Sequence, residues 1–116
     1  MGLAQYAEGG LFAPSKIANL LRTTSQEVAA SAGLARDAVQ RRERLKSART
    51  QGRLREMIEI LNKVEPRFGS PLMAFAWYRS EPLPGFANQT AMTLVQQGRA
   101  GEVLAYIDAV DAGVFA

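Results

Sequence analysis

Cationic side chains crowd into residues 36 to 55, and this stretch is the part of the chain best equipped to do chemistry. It carries eight lysines and arginines against two acidic residues, a net charge of +6, whereas residues 1 to 35 are neutral and residues 56 to 116 carry −3. A dense run of arginines attracts a polyanion, and the acidic remainder repels one. The charge pattern therefore predicts binding to nucleic acid or a similar polyanion at this stretch.

Residues able to perform covalent or metal chemistry are scarce. The chain contains no cysteine and no histidine. This excludes disulfides, thiolate nucleophiles, zinc sites of the Cys/His kind and imidazole bases. The sequence also lacks a Gly-rich phosphate loop, a paired-carboxylate motif and a lysine in an apolar run. We expect a binding protein rather than an enzyme, with no catalytic residues, no cofactor and no metal.

The composition limits the size of the core and the location of the protein. The 116 residues are 47% hydrophobic, enough for one compact domain with two lobes, which we divide at residues 1–50 and 51–116. No apolar run approaches the roughly 18 residues of a membrane span, and the start lacks the regions of a signal peptide. We expect a cytoplasmic protein with no membrane partner. Because no strand longer than a few residues is indicated, the expected fold class is all-α.

The first half of the chain predicts a helix-turn-helix. After a disordered-looking start, Pro14 fits the first turn of a short helix, and Thr24 or Ser25 caps a second helix. A tight turn between two crossing helices requires a small residue, a glycine, an apolar residue and a β-branched residue at set offsets. The residues at those offsets are Ala29, Gly33, Leu34 and Val39.

A recognition helix follows in this interpretation, from about Ala35 to Lys46. Gln40 pairs well with adenine and Arg36 with guanine in the major groove, whereas Arg41 and Arg44 are better placed to contact phosphates. These four residues are the predicted DNA contacts. The alternative is a short two-helix unit whose basic face is merely solvated and which only packs against the other lobe.

The second half predicts three or four further helices. An apolar stripe runs from Gln51 to Val64, with a joint or kink expected near Gly52, and Pro66 is expected to prevent the helix from continuing. The segment from Pro71 to Tyr78 holds three of the nine aromatic residues, Phe75, Trp77 and Tyr78, and is expected to be mainly core rather than interface. Two more helices are expected, one capped by Asn88 or Thr90 and stopped by Gly98, and one from Arg99 to Asp111.

After the last predicted helix the chain closes on an apolar tail. Gly113 ends the helix, and Val114, Phe115 and Ala116 follow. A terminal Phe gains nothing from solvent, so such a tail is either tucked into its own core or inserted into another molecule.

A combination of motifs in residues 55 to 116 resembles a known family. The motifs are Trp77-Tyr78-Arg79, Leu83-Pro84-Gly85-Phe86, Thr90-Ala91-Met92 with Leu94-Val95 and Gly98, and Ala105-Tyr106-Ile107-Asp108 leading to Gly113-Val114-Phe115. Their order and spacing resemble the Xre/MbcA/ParS toxin-binding domain of antitoxins that partner RES-domain toxins, and look closest to ParS. An Xre-like helix-turn-helix upstream is the expected companion of that domain.

The resemblance implies a type II toxin-antitoxin pair. RES toxins fold like ADP-ribosyltransferases and consume NAD, by hydrolysis or by transfer of ADP-ribose, and the antitoxin covers the NAD pocket with its C-terminal end. The matching residues here are Gly113, Val114, Phe115 and Ala116. The resemblance also implies a homodimer within a hetero-oligomeric complex, and binding of operator DNA through Arg36, Gln40 and Arg41.

Tail insertion has a direct physical basis. Phe115 buries a large apolar area, and the α-carboxylate of Ala116 meets cations that otherwise bind a dinucleotide phosphate. Two other interpretations stay open. One is a stand-alone helix-turn-helix transcription regulator whose C-terminal lobe only dimerises, and the other is a helical adaptor that does not bind DNA.

Overall fold

Helices dominate the structure, as expected. The computed structural model describes residues 2 to 113, and it is 68% helical with one small two-stranded sheet. The strands are β1 (Ala7–Glu8) and β2 (Leu11–Phe12). The helices are α1 (Pro14–Leu21), α2 (Ser25–Ser31), α3 (Asp37–Gln40), α4 (Arg42–Leu45), α5 (Ala48–Phe68), α6 (Pro71–Ser80), α7 (Ala91–Gln96) and α8 (Ala100–Asp111).

Residues 3 to 12 form local structure, which differs from the disordered-looking start that the sequence suggested. Leu3–Tyr6 form a single 3-10 turn, and β1 and β2 pair as an antiparallel hairpin across Gly9 and Gly10, both at positive φ. Tyr6 is fully buried. Burial of this large side chain, which composition alone does not indicate, holds the segment against the helices.

The first half contains the predicted turn between two helices. Pro14 is the first residue of α1, and the Thr24 hydroxyl accepts a hydrogen bond from the Glu27 amide at 3.1 Å, capping α2. Gly33 then adopts the left-handed conformation at φ +75°. These three sequence predictions are confirmed.

The predicted recognition helix from Ala35 to Lys46 is wrong as one continuous element. Arg41 is extended, with φ −97° and ψ 123°, and it separates α3 from α4. Val39 and Leu45 are six positions apart, so a continuous helix would turn them to different faces. The break lets both side chains line one cleft beneath the hairpin, and Ala38 rather than Val39 is the fully buried residue.

Helix α5 is longer than predicted at both ends. It begins after Ser47, whose hydroxyl accepts from the Thr50 amide at 3.1 Å, so the joint with the basic residues lies at Ser47 and not at Gly52. Pro66 lies inside the helix, contrary to expectation. Proline removes one hydrogen bond, but only one turn remains after it, and the amide of Gly69 closes that turn on the carbonyl of Glu65 at 2.8 Å.

One core joins the two halves of the chain. Helix α5 contacts α6, α7, α8 and β2, and the buried side chains of both halves form a single cluster. In the aromatic segment, Phe75 and Tyr78 are buried as predicted, but Leu72 and Met73 are exposed. Thr90 is the cap of α7, and Gly98 follows that helix at φ +80°.

Candidate functional site

The predicted DNA contacts lie on a broken basic segment, which we define as residues 36 to 49. Arg36, Gln40, Arg41 and Arg44 are all exposed, but Arg36 precedes α3, Arg41 lies in the break and Arg44 lies on α4. Arg44 also donates to the Asp37 carboxylate at 3.1 Å. The four residues therefore share a surface region without projecting from one helix, and a four-residue α3 cannot act as a full recognition helix.

Five cations of the basic segment have no partner within residues 2 to 113. These side chains make no hydrogen bond, ion pair or ring contact there: Arg36, Arg41, Arg42, Lys46 and Arg49. An open cleft of about 510 Å³ is lined by residues 41 to 44 and Ser47. Cations without internal partners are available to bind phosphate oxygens. When they neutralise the phosphates of a duplex, counterions are released from it.

Contacts on both sides of the basic segment anchor it to the rest of the fold, polar ones at its C-terminal end and a close steric approach before its N-terminal end. At its C-terminal end, the side-chain amide of Gln51 donates to the carbonyls of Leu45 and Phe12, at 3.0 and 3.2 Å, and its oxygen accepts from the Phe12 amide at 2.8 Å. At the other end, a Cβ on Gly33 would lie 3.0 Å from the Cα of Gln96, so only glycine fits there without displacement. The sequence offers no pattern that marks Gln51, because its partners lie far away along the chain.

Tyr78 fixes α2, the helix that precedes the turn. Its hydroxyl donates to the Ser31 carbonyl at 2.6 Å, and Gln96 donates to the Ala30 carbonyl at 2.9 Å. Burial raises the pKa of the Tyr78 hydroxyl well above its ordinary value, and the nearby Glu56 carboxylate raises it further. These contacts tie α2, in the first half of the chain, to helices α6 and α7 of the second half.

Two ion pairs hold the end of α8 against the end of α5. Lys63 contacts Asp108 at 2.5 Å, and Arg67 contacts Asp111 at 2.6 Å. The hydrogen bond to Asp108 raises the pKa of the Lys63 ammonium. Gly113, two residues beyond Asp111, is exposed at φ +80° and is the last described residue. The predicted contacts Val114, Phe115 and Ala116 lie outside the described residues.

An apolar cleft of about 420 Å³ lies along the other side of α8. Phe86 and Tyr106 meet edge to face in its wall, with ring centroids 5.8 Å apart. Arg99 donates to both carboxylate oxygens of Glu102, at 2.9 and 3.0 Å, and these hydrogen bonds lower the pKa of Glu102. The remaining lining residues are Pro84, Gly85, Ala105 and Ala109. A surface of this kind suits a protein partner better than a metal or a phosphate.

Comparison of the chain with models of known protein families, with curated proteins and with solved structures finds no match. Within the described part of the chain, no three acidic, histidine or cysteine side chains come together to hold a metal ion. No helix in residues 2 to 113 is long and apolar enough to cross a membrane. Two features of the described residues mark candidate sites: a set of cations without internal partners at one end of α5, and the exposed Gly113 after α8 at the other.

Proposed function

We propose that the chain is the antitoxin of a type II toxin-antitoxin pair. It is a binding protein rather than an enzyme, and it neutralises a RES-domain, ADP-ribosyltransferase-like toxin by occupying the NAD pocket with Gly113, Val114, Phe115 and Ala116. The single observation that carries this proposal is the placement of Gly113. It is exposed and lies two residues beyond α8, whose last turn forms two ion pairs with α5. Because α8 is packed in place, less conformational entropy is lost when the segment after it inserts into a partner.

Removing residues 113 to 116 tests tail insertion. We expect the chain ending at Ala112 to fold, because the buried core residues of the described chain all lie before it, and to bind the toxin encoded beside it. We also expect it to leave NAD consumption unchanged. Binding is measured by isothermal titration and NAD loss by absorbance, with the full chain and Phe115→Ala run in parallel. Complete inhibition by the shortened chain at an equal molar ratio would contradict the proposal.

We further propose that the basic segment binds operator DNA as part of a homodimer and represses the chain's own transcription. The support is the set of five unpartnered cations and the open cleft beside them. Because α3 and α4 are short, phosphate contacts dominate and base contacts by Gln40 and Arg36 are few. A two-fold symmetric dimer would present two such segments to two half-sites.

A stand-alone transcription regulator is the second candidate function, and the same unpartnered cations favour it. In that case the second half only dimerises and no toxin partner exists. Co-expression of this chain with the product of the neighbouring gene separates the two: the antitoxin restores NAD and growth, whereas the regulator changes only transcription.

A further inference from the structure

Three large apolar side chains stand exposed at one corner of the molecule, where α5 turns into α6. Phe68 and Leu72 are each 36% exposed and Met73 is 52% exposed, and they are the exposed large apolar residues of the described chain. The centroids of the Trp77 and Phe68 rings are 6.5 Å apart, and Trp77 is half-buried. We name Phe68, Leu72, Met73 and Trp77 the apolar corner.

The fold does not require apolar residues at these positions. Ser70 caps α6 by accepting from the Met73 amide at 3.2 Å, and Pro71 is the first helical residue. Leu72 and Met73 are therefore the second and third residues of the first turn, where acidic side chains favour the helix dipole. Apolar side chains that stability does not call for indicate a binding surface.

The apolar corner lies next to the origin of the tail. Phe68 follows Arg67, which pairs with Asp111, and Gly113 lies two residues further on. The charges on this ridge are neutralised in pairs, since Lys63 also pairs with Asp108. A partner that receives the tail therefore meets an apolar surface beside a ridge whose two ion pairs carry no net charge.

The size of the apolar corner argues against its being a dimer interface by itself. Exposed fractions of 36%, 36% and 52% amount to roughly 200 to 300 Å² for side chains of this size. A stable interface needs about 800 Å² from each partner. A docking surface must therefore include the corner and the adjoining end of α8, up to Gly113.

We infer that the apolar corner is the docking surface for the same protein partner that receives the tail, an inference that rests on the proposed function. The partner offers an uncharged apolar recess beside its ligand pocket. The corner supplies most of the affinity, whereas the tail supplies the inhibition. Binding and inhibition are therefore separable in this chain.

Met73→Glu is the sharpest variant, because it changes the corner and preserves the helix. A glutamate at this third position completes a capping box with Ser70, so the melting temperature is expected to stay the same or rise. Gln26→Glu is the matched control: it adds the same charge at an exposed position in the first turn of α2.

The experiment measures affinity and inhibition together, with the toxin encoded beside this chain. We expect Met73→Glu to raise Kd at least about tenfold yet to inhibit completely at saturation. Gln26→Glu should match the wild type, and the chain ending at Ala112 should bind within about threefold and not inhibit. Trp77 is the only tryptophan, so its 5-fluorotryptophan resonance should shift when the toxin binds.

Each other outcome overturns the inference in a recognisable way. Wild-type affinity in Met73→Glu, or equal weakening by Gln26→Glu, removes the corner from the interface while leaving the proposed function intact. A wild-type dimer that Met73→Glu dissociates, seen by sedimentation, makes a second copy the occupant. A Trp77 resonance that shifts on removal of the tail, without toxin, makes the tail itself the occupant. A wild-type chain that neither binds nor inhibits overturns the proposed function and this inference together.

Discussion

At the scale of single residues, Tyr78 does more than fill the core. It is fully buried, and its hydroxyl donates to the Ser31 carbonyl, 47 positions earlier in the chain. Replacing it by Phe leaves that carbonyl buried with one partner fewer, at a cost of about 1–3 kcal/mol. The aromatic composition of the segment predicted a core residue, but the hydroxyl's partner was beyond sequence reasoning because no local pattern connects two residues so far apart.

Alkaline pH tests the burial of the two tyrosine hydroxyls. Burial raises the pKa of Tyr6 to about 12, helped by the Glu65 carboxylate, and raises the pKa of Tyr78 further. A raised folded-state pKa gives stability that is complete below the unfolded value near 10 and is lost as pH rises through the folded value. Between pH 10 and 12, we expect each tyrosine to lower the free energy of unfolding by ~1.4 kcal/mol per pH unit.

Tyr78→Phe provides the comparison for this prediction. The variant is less stable than the wild type at pH 8, but its stability should fall less steeply with pH above 10, since Tyr78 no longer contributes whereas Tyr6 and Lys63 still do. Urea unfolding followed by circular dichroism at pH 8, 10, 11 and 12 measures both slopes. Equal slopes in the two proteins would show that Tyr78 ionises in the folded state as easily as in the unfolded state.

At the scale of elements, the spacing of apolar residues predicted helix α5 better than the positions of proline and glycine did. The apolar stripe predicted the buried face of α5 correctly, with Leu54, Met57 and Ile58 all buried. Pro66 and Gly52 were poor boundary markers, because packing at both ends stabilises turns that local propensity disfavours. The break at Arg41 lets Val39 and Leu45 line the same cleft. The spacing of the charged residues, which predicted one continuous helix, does not show that both side chains must reach this cleft.

The broken basic segment predicts how DNA binding responds to salt. Arg41→Gln and Arg42→Gln should each weaken binding to operator and scrambled duplexes by the same factor. Each should also reduce the slope of log K against log salt by about 1, because a lost phosphate contact releases fewer counterions. Gel-shift titrations at four salt concentrations measure the slopes.

Arg79→Gln is the control for these titrations, since it removes the same charge from α6, where Arg79 stacks 4.4 Å from the Phe75 ring. It should leave the slope unchanged. A loss of about 1–3 kcal/mol for the operator alone in Gln40→Ala or Arg36→Ala would instead indicate base recognition by this segment.

At the scale of the whole molecule, α5 separates the two surfaces that we propose for binding. The basic segment adjoins its first residue, and the apolar corner and the end of α8 adjoin its last turn. Twenty-one helical residues span about 30 Å at 1.5 Å per residue. This distance, within a molecule 43 Å long, places the two surfaces far enough apart for two partners to bind at once.

Simultaneous binding is the corresponding prediction. Adding the toxin to the operator complex should produce a slower-migrating ternary band, with the affinity for DNA changed by less than about threefold. Met73→Glu should form the binary band with DNA and need more toxin for the ternary one. Release of free duplex on toxin addition would contradict the independence of the two surfaces.

The close approach of Gly33 to Gln96 also limits which segments of the chain can be exchanged in a chimaera. The contact between the turn and α7, together with the Tyr78 hydrogen bond, runs across the expected division at residue 50. A chimaera that replaces residues 1 to 50 must therefore keep a glycine opposite Gln96 and an accepting carbonyl opposite Tyr78. The contact that limits such an exchange is the surface of α2 and its following turn against α6 and α7, not a point along the chain.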